Sequence, residues 1–168
     1  MTHVKLLVIV TNDRERRRLL RAWGPFVVAQ RRGPEEAAGP VDPADSPVAF
    51  ARIDVRAGLG LHVFIADGGW RREYVCRALA PQVCGYCLVV GPQPQDLTLA
   101  QDLLDLLAAT APPEGIVASS AAGHEALLRS TLSLPAEALV TSVDCSDRAS
   151  VSELVCTLLE HLAAVPAA

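Results

Sequence analysis

Six short apolar runs alternate along this chain with stretches of helical spacing, and that alternation narrows the folds open to it more than any other feature. The run at 4–10 (VKLLVIV) is apolar but for Lys5 and rich in β-branched residues, the mark of a strand buried on both faces. The run at 85–90 (GYCLVV) also reads as a buried strand, 61–66 (LHVFIA) as a largely buried one, and 115–119 (GIVAS) and 138–143 (ALVTSV) as strands. The run at 50–56 instead alternates Ile53 and Val55 with Arg52, Asp54 and Arg56, a strand with one wet face. Helices are predicted over 13–23, 70–80, 97–109, 123–132 and 149–164. Asn12 with Glu15 three residues on signals the first of them, and Leu99, Leu103, Leu106 and Leu107 mark the buried stripe of the third. Only the second and third strands are joined by a turn (57–60) instead of a helix. The order implies an α/β fold: a six-stranded, mostly parallel sheet, one antiparallel edge strand supplied by that hairpin, and helices on both faces.

At 168 residues the chain is long enough for one sizeable core, and a single domain over 1–165 is expected. Half of the residues (51%) are hydrophobic, which excludes a disordered tail. No apolar stretch approaches the ~20 residues needed to span a bilayer. The opening residues carry no basic region ahead of a long apolar segment, so the expected location is the cytoplasm and no membrane is implied. Residues 30–46 (QRRGPEEAAGPVDPADS) hold three Pro, two Gly and four acids and are expected to form one long flexible loop. Five cysteines, an odd number in a chain with room for a core, read as reduced and mostly buried. Cys84 and Cys87 form a C-x-x-C, but it leads into a buried strand and has no partner pair, which argues against metal or redox use. Residues 1–90 hold 13 basic and 9 acidic side chains, and residues 91–168 hold 2 and 10. With a net charge of −4 the chain is not composed like a nucleic-acid binder.

Three segments carry a resemblance. Residues 52–69, ending Leu61-His62-Val63-Phe64-Ile65-Ala66-Asp67-Gly68-Gly69, Gly85-Tyr86-Cys87-Leu88-Val89-Val90, and Asp144-Cys145-Ser146-Asp147-Arg148-Ala149-Ser150-Val151 with Leu158-Leu159-Glu160-His161 resemble, in order, stretches of the bacterial gliding-motility (MglA-type) GTPases. The element order likewise looks like the Ras-like small GTPase fold, with 30–46 in the place of its first switch loop. The resemblance implies a phosphate loop after the first strand, where glycine-rich backbone N–H groups would close on phosphates beside a Lys and a Ser/Thr. The matching residues, Thr11 to Arg18, contain no glycine and no lysine. Asp13 and Glu15 put negative charge at the helix N-terminus that phosphate would occupy. The resemblance also implies a guanine-reading Asn-Lys-x-Asp. Ser119-Ser120-Ala121-Ala122 stands there, and alanine cannot accept the two hydrogen bonds required. Gly69 could offer an N–H to a γ-phosphate, but Trp70 takes the position of the water-orienting Gln.

The chain therefore reads as a degenerate member of that family, a pseudo-GTPase with no catalytic residue, no cofactor and no metal. Its expected role is protein binding in a bacterial cytoplasmic signalling or polarity system. The resemblance implies a roadblock-domain protein or an intact GTPase as partner, met through Phe50, Arg52, Asp54 and Arg56 on the edge strand and through Trp70 and Arg71 after the hairpin. A second reading keeps slow GTP or ATP hydrolysis, with Thr11, Asn12, Arg17, Asp67, Gly69, Ser119 and Ser146, or Thr141, as polar contacts. A third is a homodimer joined through the second strand. Asp13, Asp67 and Asp144, all at carboxyl ends of strands, are also similar to a receiver domain's acidic pocket. The hairpin and the lack of a lysine after the fifth strand argue against that.

Overall fold

The computed structural model describes residues 2–28, 42–109 and 114–165. Its strands are β1 (Thr2–Val10), β2 (Val48–Arg56), β3 (Leu59–Asp67), β4 (Gly85–Val90), β5 (Glu114–Ser119) and β6 (Val140–Ser142). They form one sheet in the order β2-β3-β1-β4-β5-β6. The pairs β1/β3, β1/β4, β4/β5 and β5/β6 are parallel, and β2/β3 is antiparallel, so the predicted edge hairpin is present. Its turn is shorter than 57–60: Ala57 and Gly58 alone connect the strands, with Gly58 at φ +84°, where an L side chain would be strained.

The helices are α1 (Asp13–Ala22), α2 (Arg72–Tyr74), α3 (Pro94–Ala109), α4 (Glu125–Thr131) and α5 (Arg148–Ala164). Strand alternation divides the core. Leu6, Val8 and Val10 of β1 face Leu19, Leu20 and Trp23 of the α1 segment and Val151, Leu154, Val155 and Leu158 of α5. Leu7 and Ile9 face the other way, onto Ala100, Leu103 and Leu107 of α3 and Leu128 of α4. Each such large apolar side chain contributes roughly 1.5–3 kcal/mol when fully buried. Among the described residues no helix is long and apolar enough to cross a membrane.

Two local expectations are corrected. The regular helix predicted over 70–80 is one α turn (Arg72–Tyr74), a π-helical turn (Val75–Leu79) and a 3-10 turn (Ala80–Gln82). Pro81 explains the change: it has no N–H to donate and its ring crowds the carbonyl four residues back, so the backbone widens before it and tightens after it. The loop predicted over 30–46 lies outside the described residues as far as 41. Residues 42–46, however, hold a 3-10 turn, Pro43–Asp45, capped by the Asp42 carboxylate, which accepts from the Ala44 N–H at 2.9 Å. Smaller shifts follow from local chemistry. Helix α3 starts three residues early on Pro94, a residue suited to a first helical turn, and α4 starts after Gly123 at φ +79°.

Candidate functional site

The sheet order reverses at β1: the chain lays β2 and β3 on one side of it and β4 to β6 on the other. Open α/β sheets hold ligands at the carboxyl ends of strands beside such a reversal. Thr11 and Asn12 after β1, Asp67 at the end of β3 with Gly68 and Gly69, Gly91 after β4 and Ser119 at the end of β5 all lie at that end.

Only Thr11 and Asn12 join β1 to α1. The Thr11 N–H donates to Val89 O at 3.0 Å, and its hydroxyl accepts from the Gly91 N–H at 2.9 Å. Asn12 Oδ1 caps α1 by accepting from the Glu15 N–H at 3.3 Å, while Nδ2 donates to Asp96 Oδ2 at 3.2 Å. The same Asp96 oxygen accepts from the Gln93 N–H at 3.0 Å, and Asp96 is 3% exposed. Gly91 is needed here: a Cβ would collide with the Asp96 carboxylate and lie 2.7 Å from Asn12 Cβ. The crook is packed from four directions.

Arg16 closes the next layer. It is 1% exposed, lies on the same helical stripe as Leu19, Leu20 and Trp23, and donates to Ala44 O at 3.2 Å and to Ser46 O. Its Nε is buried with no hydrogen-bond partner. Desolvation lowers its pKa, with Asp67 and then Asp13 opposing the fall. One buried guanidinium thus ties the α1 helix to the segment that leads into β2.

The remaining candidate nucleotide contacts are engaged within the chain. Arg17, the candidate phosphate cation, pairs outward with Asp13 at 2.8 Å and Asp45 at 3.4 Å. Asp13 is half-exposed, so the N-terminus of α1 is satisfied by Asn12, with Asp13 turned to the arginines. Asp67 Oδ1 accepts from the Gly69 N–H at 2.9 Å, the very donor the sequence offers to a phosphate, and the Gly68 N–H donates to Val10 O at 2.9 Å. The Ser119 hydroxyl accepts from Ala121 N and donates to Ala121 O, a closed local turn. Ser146 is bound to Asp144, whose pKa its hydroxyl and backbone N–H lower. Thr141 is half-buried within β6. The loop after β6 folds back toward α1: Cys145 is buried with Val10 and Leu19, and Arg18 helps to lower the Asp144 pKa. Among the described residues no cluster of three or more His, Cys, Asp or Glu could hold a metal.

The candidate partner residues fall into two groups. Trp70 is half-buried, meets Tyr74 edge-on at 6.0 Å and carries the Arg71 guanidinium 5.5 Å above its ring. Arg71 itself holds φ 36°, a left-handed conformation unusual for a residue with a side chain. Arg71, Arg72, Glu73, Tyr74, Gly69 and Leu99 line a cavity of about 620 Å³. On β2, Phe50 is half-buried and Arg52, Asp54 and Arg56 are exposed. The β2 edge is less open than the sequence suggests, because Val27 bridges Ala51 and the Val28 N–H donates to Phe50 O at 2.8 Å. Cys84 and Cys87 do not act together: Cys84 is exposed, Cys87 is buried, and both are free.

Sequence reasoning singled out neither Asp96 nor Gly91, and Arg16, one of five arginines between 14 and 21, reads from the sequence as part of an exposed helix face. Arg16 was detectable, since it stands three, four and seven residues before Leu19, Leu20 and Trp23. The chain matches no model of a known protein family and no curated protein.

Proposed function

We propose that this chain is a nucleotide-independent, Ras-like pseudo-GTPase of the MglA type that works by binding proteins in the bacterial cytoplasm. A roadblock-type protein or an intact GTPase is the partner to test first. The observation that carries the reading is the two-residue connection between β1 and α1. A phosphate loop wraps several consecutive backbone N–H groups around the anion. Here the first two residues after β1 are tied to Val89, Gly91, Glu15 and Asp96, and the helix begins at once. Engagement of the Gly69 N–H by Asp67 and the closed turn at Ser119 support the same reading. So do the sheet with its single edge hairpin and the half-buried Trp70 with Arg71 stacked on it, since Trp and Arg are residue types that dominate protein interfaces.

Titration calorimetry with GTP, GDP and ATP in Mg²⁺ tests it most directly. The expected result is no saturable heat, and binding tighter than about 10 µM, an affinity that only a built site supplies, overturns the proposal. Co-purification with a roadblock protein is the positive arm.

A further inference from the structure

Among the described residues the sheet face on the α3 side is unevenly roofed, and the strand register shows which positions they leave open. Pairing across β2, β3 and β1 aligns three rows: Phe50–Phe64–Leu7, Arg52–His62–Lys5 and Asp54–Gly60–His3. The first row is the margin of the core, with Leu7 fully buried and the two Phe half-buried. In the next two rows Arg52, Lys5, Asp54 and His3 are exposed. His3 lies over Gly60, where a Cβ would be 2.9 Å from Nδ1, and its ring centre is 4.3 Å from that of His62. Phe50 meets the other side of His62 edge-on at 5.1 Å.

The middle row places three basic groups at directly opposed positions, an arrangement that costs stability in a sheet. Facing His62 are His3 and Lys5 from β1 and Arg52 and Asp54 from β2. Asp54 is the one carboxylate among them and is already shared with Arg52 at 3.4 Å. His62 Nε2 is buried without a hydrogen-bond partner. A local rule of sheet design is broken where an incoming anion would repair it.

We propose that this face docks an acidic polypeptide segment of a partner protein. Its carboxylates fall on the Arg52–His62–Lys5 row and its apolar side chains on Phe50 and Phe64. The inference rests on reading the chain as a protein-binding module and gives that module a partner chemistry. A polypeptide suits the face better than a nucleic acid. The whole chain carries −4, which repels a polyphosphate, and Asp54 stands inside the patch. Phe50 and Phe64 are also packed against each other at 5.5 Å and tilted by 53°, not laid flat for base stacking. A carboxylate arriving beside His62 favours its imidazolium form, so docking takes up a proton and tightens as pH falls.

Fluorescence anisotropy with a labelled peptide of about twelve residues, alternating Glu and Leu, provides the test at low ionic strength, where surface charge is least screened. Binding is expected to tighten by about threefold or more from pH 8 to pH 6, as docking draws a proton onto an imidazole that desolvation otherwise keeps neutral. Arg52→Glu, on an exposed position, is expected to weaken it by about tenfold or more while leaving the circular dichroism spectrum unchanged. His62→Gln should flatten the pH dependence. Affinity flat across this range and indifferent to Arg52→Glu overturns the proposal, as does no binding at about 1 mM peptide. Displacement of the peptide by oligouridylate of similar length overturns the assigned occupant. A roadblock partner that still co-purifies with Arg52→Glu leaves the protein-binding reading standing and removes this face from it.

Discussion

Gly91→Ala tests whether the crook after β1 is solid. The added methyl would collide with the Asp96 carboxylate and sit 2.7 Å from Asn12 Cβ, so about 1 Å of movement is needed to reach ordinary contact. Neither neighbour is free to move. The Asp96 oxygen accepts from Asn12 Nδ2 and the Gln93 N–H, and Asn12 caps α1. Overpacking a filled site costs typically 1–3 kcal/mol, and displacing the carboxylate forfeits hydrogen bonds worth about 1.5–3 kcal/mol to a charged group. A loss of about 3–5 kcal/mol is expected, a large share of the ~5–15 kcal/mol that holds a domain folded. Equilibrium urea unfolding measures it, read from the midpoint at constant slope. Asp96→Ala in the same background removes the closer of the two clashes, so the double mutant should lose at least about 1 kcal/mol less than the two single changes summed. A Gly91→Ala protein within about 0.5 kcal/mol of the parent would mean that the crook has room, and the argument against a phosphate cradle would fail with it.

Three further outcomes are expected. Arg16→Met keeps the length of the side chain but strips Ala44 O and Ser46 O of their donor, so a loss of about 1–3 kcal/mol and faster proteolysis within 42–48 should follow; proteolysis rates unchanged from the parent would refute the anchoring role. His62 has a pKa lowered first by desolvation and then by His3, Arg52 and Lys5. The folded state therefore binds fewer protons than the unfolded one, and stability should fall as pH drops below the ordinary histidine value of about 6.5 and fall less in His62→Gln, as thermal melts across pH would show. Burial pushes the Cys76 and Cys145 thiols up to about 11 and about 12 and raises Cys87 as well, so a thiol reagent at neutral pH should label exposed Cys84 and Cys156 quickly and the other three only on unfolding.

Much of the frame was legible because it is written in local patterns. The unbroken run at 6–10 can only be a strand covered on both faces, and Leu99, Leu103 and Leu107 recur at the spacing of a helix. Asn12 announces α1, while the cap of α5 came from the structure: the Asp147 carboxylate accepts from the N–H groups of Ala149 and Ser150. The two-residue connection after β1 follows from that first cap. The π turn at Val75–Leu79 was not legible, although its cause, Pro81, was in view. A proline says where a helix fails, not how the backbone accommodates the failure.

Sequence alone therefore determined which segments are strands and helices, which side of each is apolar, and that Thr11 to Arg18 lack the glycines and lysine a phosphate cradle needs, because propensity, capping and periodicity act between residues a few positions apart. Only the tertiary structure decided that Asp96 seals the space beside Asn12, that Arg16 is buried against Ala44 and Ser46, and that Lys5, Arg52 and His62 stand side by side. Those neighbours come from elements 28 to 84 residues apart, or from the register of three strands at once. Parallel pairing across crossovers is set by how whole faces pack, and no short stretch of chain encodes it.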